Sequence, residues 1–324
     1  MHKTLISLAI GSAIACAVAI AAPPLPNAAA PIGAPVSKPA PVVPLLWKVS
    51  DADNSVYLLG SFHLLKVDDK PMTPAVEAAF ADAESVMFEV PPAQMTDPAT
   101  ATKFQAAMMY TGGRTLSNTL SPVTLKRLEA LLAPSKTPVA ALDPLEPWAV
   151  SLQLALGVMA SQGFLPDQGL DKVLMARAAQ AGKPTAGLET IDDQIRALDG
   201  SPESEQIKGL EEFVADPRKG IDEAINLHAA WRQGDATLLD SQFRADMARE
   251  MPATYKLINV DRNVRWIPQL EARLKAKGTN DTLVVVGALH LLGKDGVVER
   301  LRAKGYRVER VASNSRTGKG RATR

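Results

Sequence analysis

Two segments of the chain end in the same pattern, Gly-x-x-His. Residues 56–63 read VYLLGSFH, and residues 283–290 read LVVVGALH. The chain has four histidines, of which His63 and His290 end these two runs. Imidazole is a common metal ligand and a common general base. The repeated pattern therefore predicts a composite site built from the two ends of the chain.

Two glutamates are expected to share this site. Glu89 lies near the end of a β-prone run at 85–90, and Glu189 follows a second run at 185–188. In open α/β sheets, ligands bind beyond the carboxyl ends of the strands, where all four side chains would lie. Two imidazoles and two carboxylates suit a divalent metal such as Mn²⁺, Co²⁺ or Zn²⁺.

In this hypothesis the two histidines and one of the two glutamates hold the metal, which lowers the pKa of a bound water. The remaining carboxylate then acts as the general base. His228 lies in a helical stretch without a strand end, and we interpret it as a structural or surface residue. The sequence contains no Gly-x-Ser-x-Gly, no P-loop and no His-Glu-x-x-His, which excludes the corresponding motif-based sites.

Alternating strands and helices are expected to position these residues. Strands are predicted at 47–49, 56–62, 85–90, 185–188, 282–289 and 306–311, the first two joined in a hairpin by a turn at Asp53 and Asn54. Helices are predicted at 74–82 with Thr73 as N-cap, at 99–110, 121–132, 144–162 and 168–181, through 191–274 with breaks at Pro202, Pro217, Gly234 and Pro252, and at 296–304. This order predicts an α/β or α+β fold, in which a central mixed sheet from the N- and C-terminal parts carries a large inserted helical region.

The two ends of the chain are expected to lie outside this domain. Residues 1–22 are typical of a signal peptide, and residues 23–45 form a linker rich in Pro and Ala. The folded domain is predicted at 46–312, followed by a basic, disordered tail at 313–324. We expect export to a periplasm or to the medium; a lipoprotein attached through Cys16 and an uncleaved N-terminal anchor are the alternatives. Cys16 is the only cysteine, so a mature chain has no cysteine nucleophile.

The overall charge limits the class of partner. The chain has 36 Lys and Arg residues and 35 Asp and Glu residues, for a net charge of +1. Such a balance gives no basic surface for nucleic acid. We therefore expect no nucleic-acid partner. We also expect no stable membrane span after signal cleavage. The sequence does not indicate an oligomeric state.

The chain resembles the TraB/GumN family, also called the TraB/PrgY/GumN group, which is related to the Tiki metalloproteases. The resemblance runs from about residue 46 to residue 311. The matching residues are 46–47, 57–63, 88–90, 146–148, 169–171, 182–184, 187–190, 194, 231, 234–235, 261–263, 266, 286–291, 293, 296–297 and 305–306. Ser61, Phe62 and Leu289 depart from the usual pattern, whereas both histidines and both glutamates are retained.

The resemblance implies a metal-dependent peptidase, because Tiki-like members use paired Gly-x-x-His motifs, a glutamate and a divalent metal. It implies His63, Glu89 and His290 as the core of the site, where they hold the metal. Glu189, as the general base or a fourth ligand, and Arg262 come next. Arg262 and Asn263 would either hold a substrate carboxylate or orient Glu189. Asp171 would support the site or cap a helix.

Two other functions remain open at this stage. Erythromycin-esterase-like relatives have a His/Glu site that works without metal, which implies an esterase or amidase with a histidine general base. Other relatives shut down a peptide pheromone, which implies a non-catalytic protein that binds or sequesters peptides. The first choice is an exported metal-dependent hydrolase, most simply a peptidase, and the expected substrate is a peptide or a small molecule.

Overall fold

The computed structural model describes residues 42–312, and one six-stranded mixed sheet lies at the centre of this part. The strands are β1 (Leu46–Ser50), β2 (Ser55–Ser61), β3 (Ser85–Phe88), β4 (Thr185–Gly187), β5 (Thr282–Gly287) and β6 (Arg307–Arg310). Their order across the sheet is β4-β3-β5-β2-β1-β6. The predicted α/β class is confirmed, and the two Gly-x-x-His strands, β2 and β5, are neighbours.

The four strands that precede the predicted site residues form the parallel part of the sheet. β2 pairs with β5, β5 with β3, and β3 with β4, all in parallel. Every residue of β2 and β5 is buried, as expected for parallel strands that are covered on both faces. Because parallel strands end at the same edge, the residues that follow them are brought together there.

The remaining two strands are antiparallel. β1 and β2 form the predicted hairpin around Asp53 and Asn54, and β6 pairs with the other side of β1. The side-chain amide of Asn54 donates a hydrogen bond of 2.7 Å to the carbonyl of Ala276. This bond attaches the hairpin turn to the segment that leads into β5.

Helices occupy most of the chain between the strands, as predicted for the inserted region. They are α1 (Pro74–Asp82), α2 (Pro92–Met95), α3 (Pro98–Ala107), α4 (Leu116–Thr119), α5 (Pro122–Leu132), α6 (Pro147–Ser161), α7 (Leu170–Gln180), α8 (Ile191–Asp199), α9 (Glu203–Ala215), α10 (Pro217–Arg232), α11 (Ala236–Leu238), α12 (Ala245–Glu250), α13 (Pro252–Tyr255), α14 (Asp261–Leu274) and α15 (Val297–Ala303). α1 begins where predicted, because the Thr73 hydroxyl accepts a hydrogen bond of 3.4 Å from the Val76 N–H.

Three local features differ from the sequence-based expectations. β4 was predicted as a buried strand, but Thr185 is exposed because β4 lies at the edge of the sheet with only β3 beside it. The strand predicted to reach Leu289 ends at Gly287, and a 3₁₀ turn, Ala288–Leu291, carries His290. Two π-helical segments, Leu239–Arg244 and Lys256–Val260, interrupt the helices before α14.

The folded part begins slightly upstream of residue 46. Val42 and Leu45 are buried, and the Leu45 carbonyl accepts a hydrogen bond of 2.7 Å from the Gly60 N–H. The predicted signal peptide, the linker up to residue 41 and the predicted tail lie outside the described residues. Within residues 42–312, none of the helices combines the length and apolar character that a membrane span requires.

Candidate functional site

The four residues predicted from the strand ends lie together at the edge where the parallel strands end. His63 follows β2, Glu89 follows β3, Glu189 follows β4, and His290 lies in the 3₁₀ turn after β5. All four are buried. Arg262, in the first turn of α14, extends its side chain between them.

The guanidinium of Arg262 contacts three of the four predicted residues. Its Nη2 donates to Glu89 Oε2 and to Glu189 Oε1, both at 2.6 Å, and its Nε donates to the two Glu189 oxygens at 2.9 and 3.1 Å. Its Nη1 donates to His290 Nε2 and to the Ile258 carbonyl, both at 3.0 Å. Since all five guanidinium N–H groups are engaged, Arg262 orients Glu189 and has none left for a substrate carboxylate.

The tautomer of His290 follows from the hydrogen bonds of Asn263. The Asn263 amide nitrogen donates to Asn259 Oδ1 and to the carbonyls of His290 and Asp295, so its Oδ1 accepts from His290 Nδ1 at 2.7 Å. The lone pair of His290 is therefore on Nε2, where Arg262 donates. Burial and the charge of Arg262 lower the pKa of His290 to about 3, so the ring is neutral at physiological pH.

His63 faces a carboxylate on each side. Its Nδ1 lies 3.1 Å from Asp171 Oδ1, close enough for attraction but not aligned as a hydrogen bond. Its Nε2 lies 3.8 Å from Glu89 Oε1 and has no hydrogen-bond partner among the described residues. Burial lowers the pKa of His63, but the carboxylates of Asp171 and Glu89 together outweigh this effect, and the pKa is raised above its usual value. The contact orients Nδ1 towards Asp171 and leaves Nε2 available.

The two glutamates differ in their surroundings. Glu89 Oε1 accepts a hydrogen bond of 2.7 Å from the Gly287 N–H, and Oε2 accepts one of 3.1 Å from Gln194. Burial raises the pKa of Glu89, but Arg262 lowers it to about 2, so this carboxylate is charged. Burial raises the pKa of Glu189 in spite of Arg262. Glu89 is therefore an ionised carboxylate beside His63.

Asp171 was expected either to support the site or to cap a helix, and its side chain lies in the site. It lies in the first turn of α7 and accepts a hydrogen bond of 2.9 Å from the Ser61 hydroxyl, beside His63. Gly169 makes this approach possible, because a Cβ atom on Gly169 would lie 2.2 Å from the His63 carbonyl oxygen. The Gly-x-Asp spacing at 169–171 was the available signal for this contact.

Three further residues support the site: Asn263, which contacts His290 rather than Glu189, and Trp266 and Gln194, which were not assigned a role from the sequence. Asn263 and Trp266 are on the same helix as Arg262, and Gln194 is on α8. The Trp266 indole donates a hydrogen bond of 3.1 Å to Glu189 Oε2, and its ring lies 4.5 Å from that of His290. The spacing of Arg262 and Trp266 was a usable signal, since residues four apart share a helix face.

The predicted metal was to be held by His63, His290 and Glu89. Arg262 already donates hydrogen bonds to two of these residues, His290 and Glu89. A metal bound by His290 would need the Nε2 lone pair that accepts from Arg262. Within residues 42–312, no three His, Cys, Asp or Glu side chains converge closely enough to hold an ion. With Arg262 in this position, the three residues do not fit one shared metal ion. The metal stays a prediction.

His228, interpreted from the sequence as structural or surface, is buried outside the site. Its Nε2 lies 2.8 Å from Asp69 Oδ2, and its ring packs against Phe62 and Phe164. Asp69 also bonds with Arg232. This cluster fixes the segment that follows His63, because Asp69 Oδ2 also accepts the N–H of residue 66 at 2.7 Å.

Replacing Asp69 with asparagine is expected to lower the free energy of unfolding at pH 7 by about 2 kcal/mol, because Arg232 and the His228 ring lose the buried carboxylate that they contact. Burial raises the pKa of Asp69, but His228 outweighs this effect and the pKa is lowered. The stabilisation is therefore present above the unfolded pKa, about 3.9, and is lost as the pH falls through the lower folded value. Denaturant unfolding should show that the wild type and Asp69→Asn differ less in free energy of unfolding at pH 3 than at pH 7. An equal difference at the two pH values would contradict this assignment.

Comparison with known proteins agrees with these observations. A search of curated proteins gave no match. The model of the TraB/PrgY/gumN family matches residues 45–310, which include both Gly-x-x-His motifs, both glutamates and Arg262. The chain belongs to the TraB/PrgY/gumN family.

Proposed function

We propose that this protein is an exported hydrolase in which His63 acts as the general base. The observation that carries the proposal is the arrangement around His63. Its Nδ1 faces the Asp171 carboxylate at 3.1 Å, and its buried Nε2 has no hydrogen bond within the described residues and lies 3.8 Å from Glu89 Oε1. The proposed export depends only on the pattern of residues 1–22 in the sequence.

The separation between His63 and Glu89 suits a reacting water. A distance of 3.8 Å is too long for a direct hydrogen bond, but one water can bridge two polar atoms at this separation. Such a water would donate one proton towards His63 Nε2 and the other towards Glu89 Oε1. Glu89 can only accept, because its carboxylate is charged.

The same geometry supports hydrolysis of an ester or an amide. The water oxygen attacks the carbonyl carbon while His63 Nε2 takes the proton. The proton then passes to the leaving oxygen or nitrogen as the bond to that atom breaks. Asp171 stabilises the imidazolium that exists between these two transfers. None of these steps passes through a metal.

The other site residues position the reacting groups. His63 and Glu89 retain 6% and 5% of their surface, whereas His290 is fully buried at 0%. His290 therefore acts through Arg262, by holding the guanidinium against Glu89 and Glu189. The substrate class that fits both this chemistry and the family is a peptide or a small ester or amide.

The experiment that tests the proposal compares the wild-type chain with Asp171→Asn on fluorogenic peptides, esters and amides. We expect kcat of the variant to fall by about 10²–10⁴-fold, because Asn cannot stabilise the imidazolium as a charged carboxylate does. Asp171→Glu, which keeps the charge, should recover part of the loss. Equal rates for the wild type and Asp171→Asn would contradict the role of His63 as a base.

A peptide-sequestering protein predicts a different result in the same assay. No substrate would be turned over, and a peptide would instead bind with an affinity that Asp171→Asn leaves nearly unchanged. That result would replace the hydrolase proposal.

A further inference from the structure

We infer that Arg262 is the resident cation of this site and that its guanidinium occupies the place where a divalent metal ion would bind. The inference concerns ion binding and does not depend on hydrolysis. It starts from the three groups that surround the guanidinium, which are the carboxylates of Glu89 and Glu189 and the Nε2 lone pair of His290. Carboxylate oxygens and imidazole nitrogens are both ligands of zinc.

The guanidinium fills this place completely. Its Nε and Nη atoms lie between 2.6 and 3.1 Å from acceptor atoms of Glu89, Glu189, His290 and Ile258. One positive charge is thus balanced against two buried carboxylates. Because Arg remains protonated at all accessible pH values, no change of pH releases the three groups for a metal.

The surroundings hold Arg262 in this position. The Ile258 carbonyl that accepts from Nη1 belongs to the π-helical segment Lys256–Val260, directly before α14. The Trp266 ring lies 5.0 Å from the guanidinium carbon, and Arg262 is only 2% exposed. A metal ion would therefore have to displace a cation that is part of the chain and packed on several sides.

Removing the guanidinium should create the metal site that the wild-type chain lacks. In Arg262→Ala, Glu89, Glu189 and the His290 Nε2 lone pair lose their shared cation, and the space left by the guanidinium lets these three groups move together around an ion. We expect the wild-type chain to bind no ion at this site, and Arg262→Ala to bind one per chain.

The test is calorimetric titration of the full-length chain with ZnCl₂, MnCl₂ and CoCl₂, beside thermal unfolding with and without each ion. Arg262→Ala should bind one ion with a rise in Tm, and the double variant Arg262→Ala/His290→Ala should bind at least about tenfold more weakly. Arg244→Ala is the matched control, because Arg244 is a buried arginine bonded to Asp240 and Tyr255 outside the site. Its Tm should fall without any recovery on addition of metal.

Two results would overturn the inference. One is stoichiometric binding by the wild-type chain that His290→Ala weakens, since the guanidinium and a metal cannot both use the same lone pair. The other is a folded Arg262→Ala that binds no ion. If Arg262→Ala does not fold with or without metal, the comparison of the wild type with His290→Ala decides alone. The inference is supported if the wild-type chain binds no ion, or if it binds one with an affinity that His290→Ala does not change. None of these measurements uses turnover. The inference can therefore fail while the proposed hydrolase function holds, and the proposed function can fail while the inference holds.

Discussion

Replacing His63 with alanine is expected to lower kcat by about 10²–10⁴-fold, the range typical for loss of a positioned general base. The variant lacks the Nε2 atom that faces Glu89 at 3.8 Å, whereas Glu89 keeps its hydrogen bonds to Arg262, Gln194 and the Gly287 N–H. The loss should therefore appear in kcat, and the variant should give the same circular dichroism spectrum as the wild type.

His228 provides the matched control for this experiment. It is also a buried histidine facing a carboxylate, that of Asp69, but it lies outside the edge where Glu89 and Glu189 meet. His228→Ala should lower stability and change kcat far less than His63→Ala does. Equal losses of kcat in both folded variants would show that His63 has only a structural role.

Replacing Arg262 with leucine is expected to lower the free energy of unfolding by about 3–5 kcal/mol, the usual loss when one partner of a buried ion pair is removed. Leucine keeps much of the bulk, so the loss reports chiefly the two carboxylates that lose their cation. Glu89 and Glu189 have side chains that are 6% and 2% exposed, so bulk solvent can hydrate only poorly the carboxylate oxygens that lose the guanidinium.

The matched control is Arg244→Leu. The carboxylate partner of Arg244 is Asp240, whose side chain is 37% exposed and can be solvated after the change. Its loss of stability should be clearly smaller in urea unfolding at pH 7. A loss of less than about 1 kcal/mol for Arg262→Leu would mean that the guanidinium does not neutralise both carboxylates.

The stability of the Arg262 site should also depend on pH. The folded pKa of Glu89 is lowered to about 2, below its usual value of 4.5. The stabilisation from this group is therefore present above pH 4.5 and is lost as the pH falls towards 2. The difference in free energy of unfolding between the wild type and Arg262→Leu should therefore be smaller in acid than at pH 7.

The sequence was sufficient to predict that the four residues at the strand ends meet. Residues 56–59 and 283–286 are continuous apolar runs, which is typical of parallel strands buried on both faces, and each is followed by a glycine and then a histidine. Parallel strands end at one edge, so the convergence of His63, Glu89, Glu189 and His290 followed from the order of the strands. The hairpin at Asp53 and the start of α1 were predicted from local turn and cap signals.

The roles of these residues could not be predicted in the same way. Whether Arg262 meets a substrate or a carboxylate of the chain depends on where α14 lies relative to the sheet, and no local pattern fixes that position. The contact between His63 and Asp171 joins residues more than 100 positions apart in the sequence. From the sequence alone, two histidines and two glutamates fit a metal site as well as a metal-free site. Only the position of the Arg262 guanidinium distinguishes the two.

The most direct test of the central claim is turnover by the full-length chain after removal of metal. The protein would be treated with a chelator, its metal content measured by elemental analysis, and its activity followed on the panel of peptides, esters and amides. We predict unchanged hydrolysis by the metal-depleted wild type and loss of hydrolysis in His63→Ala. Loss of activity on depletion, with recovery on addition of Zn²⁺, Mn²⁺ or Co²⁺, would contradict a mechanism that depends on His63 without a metal.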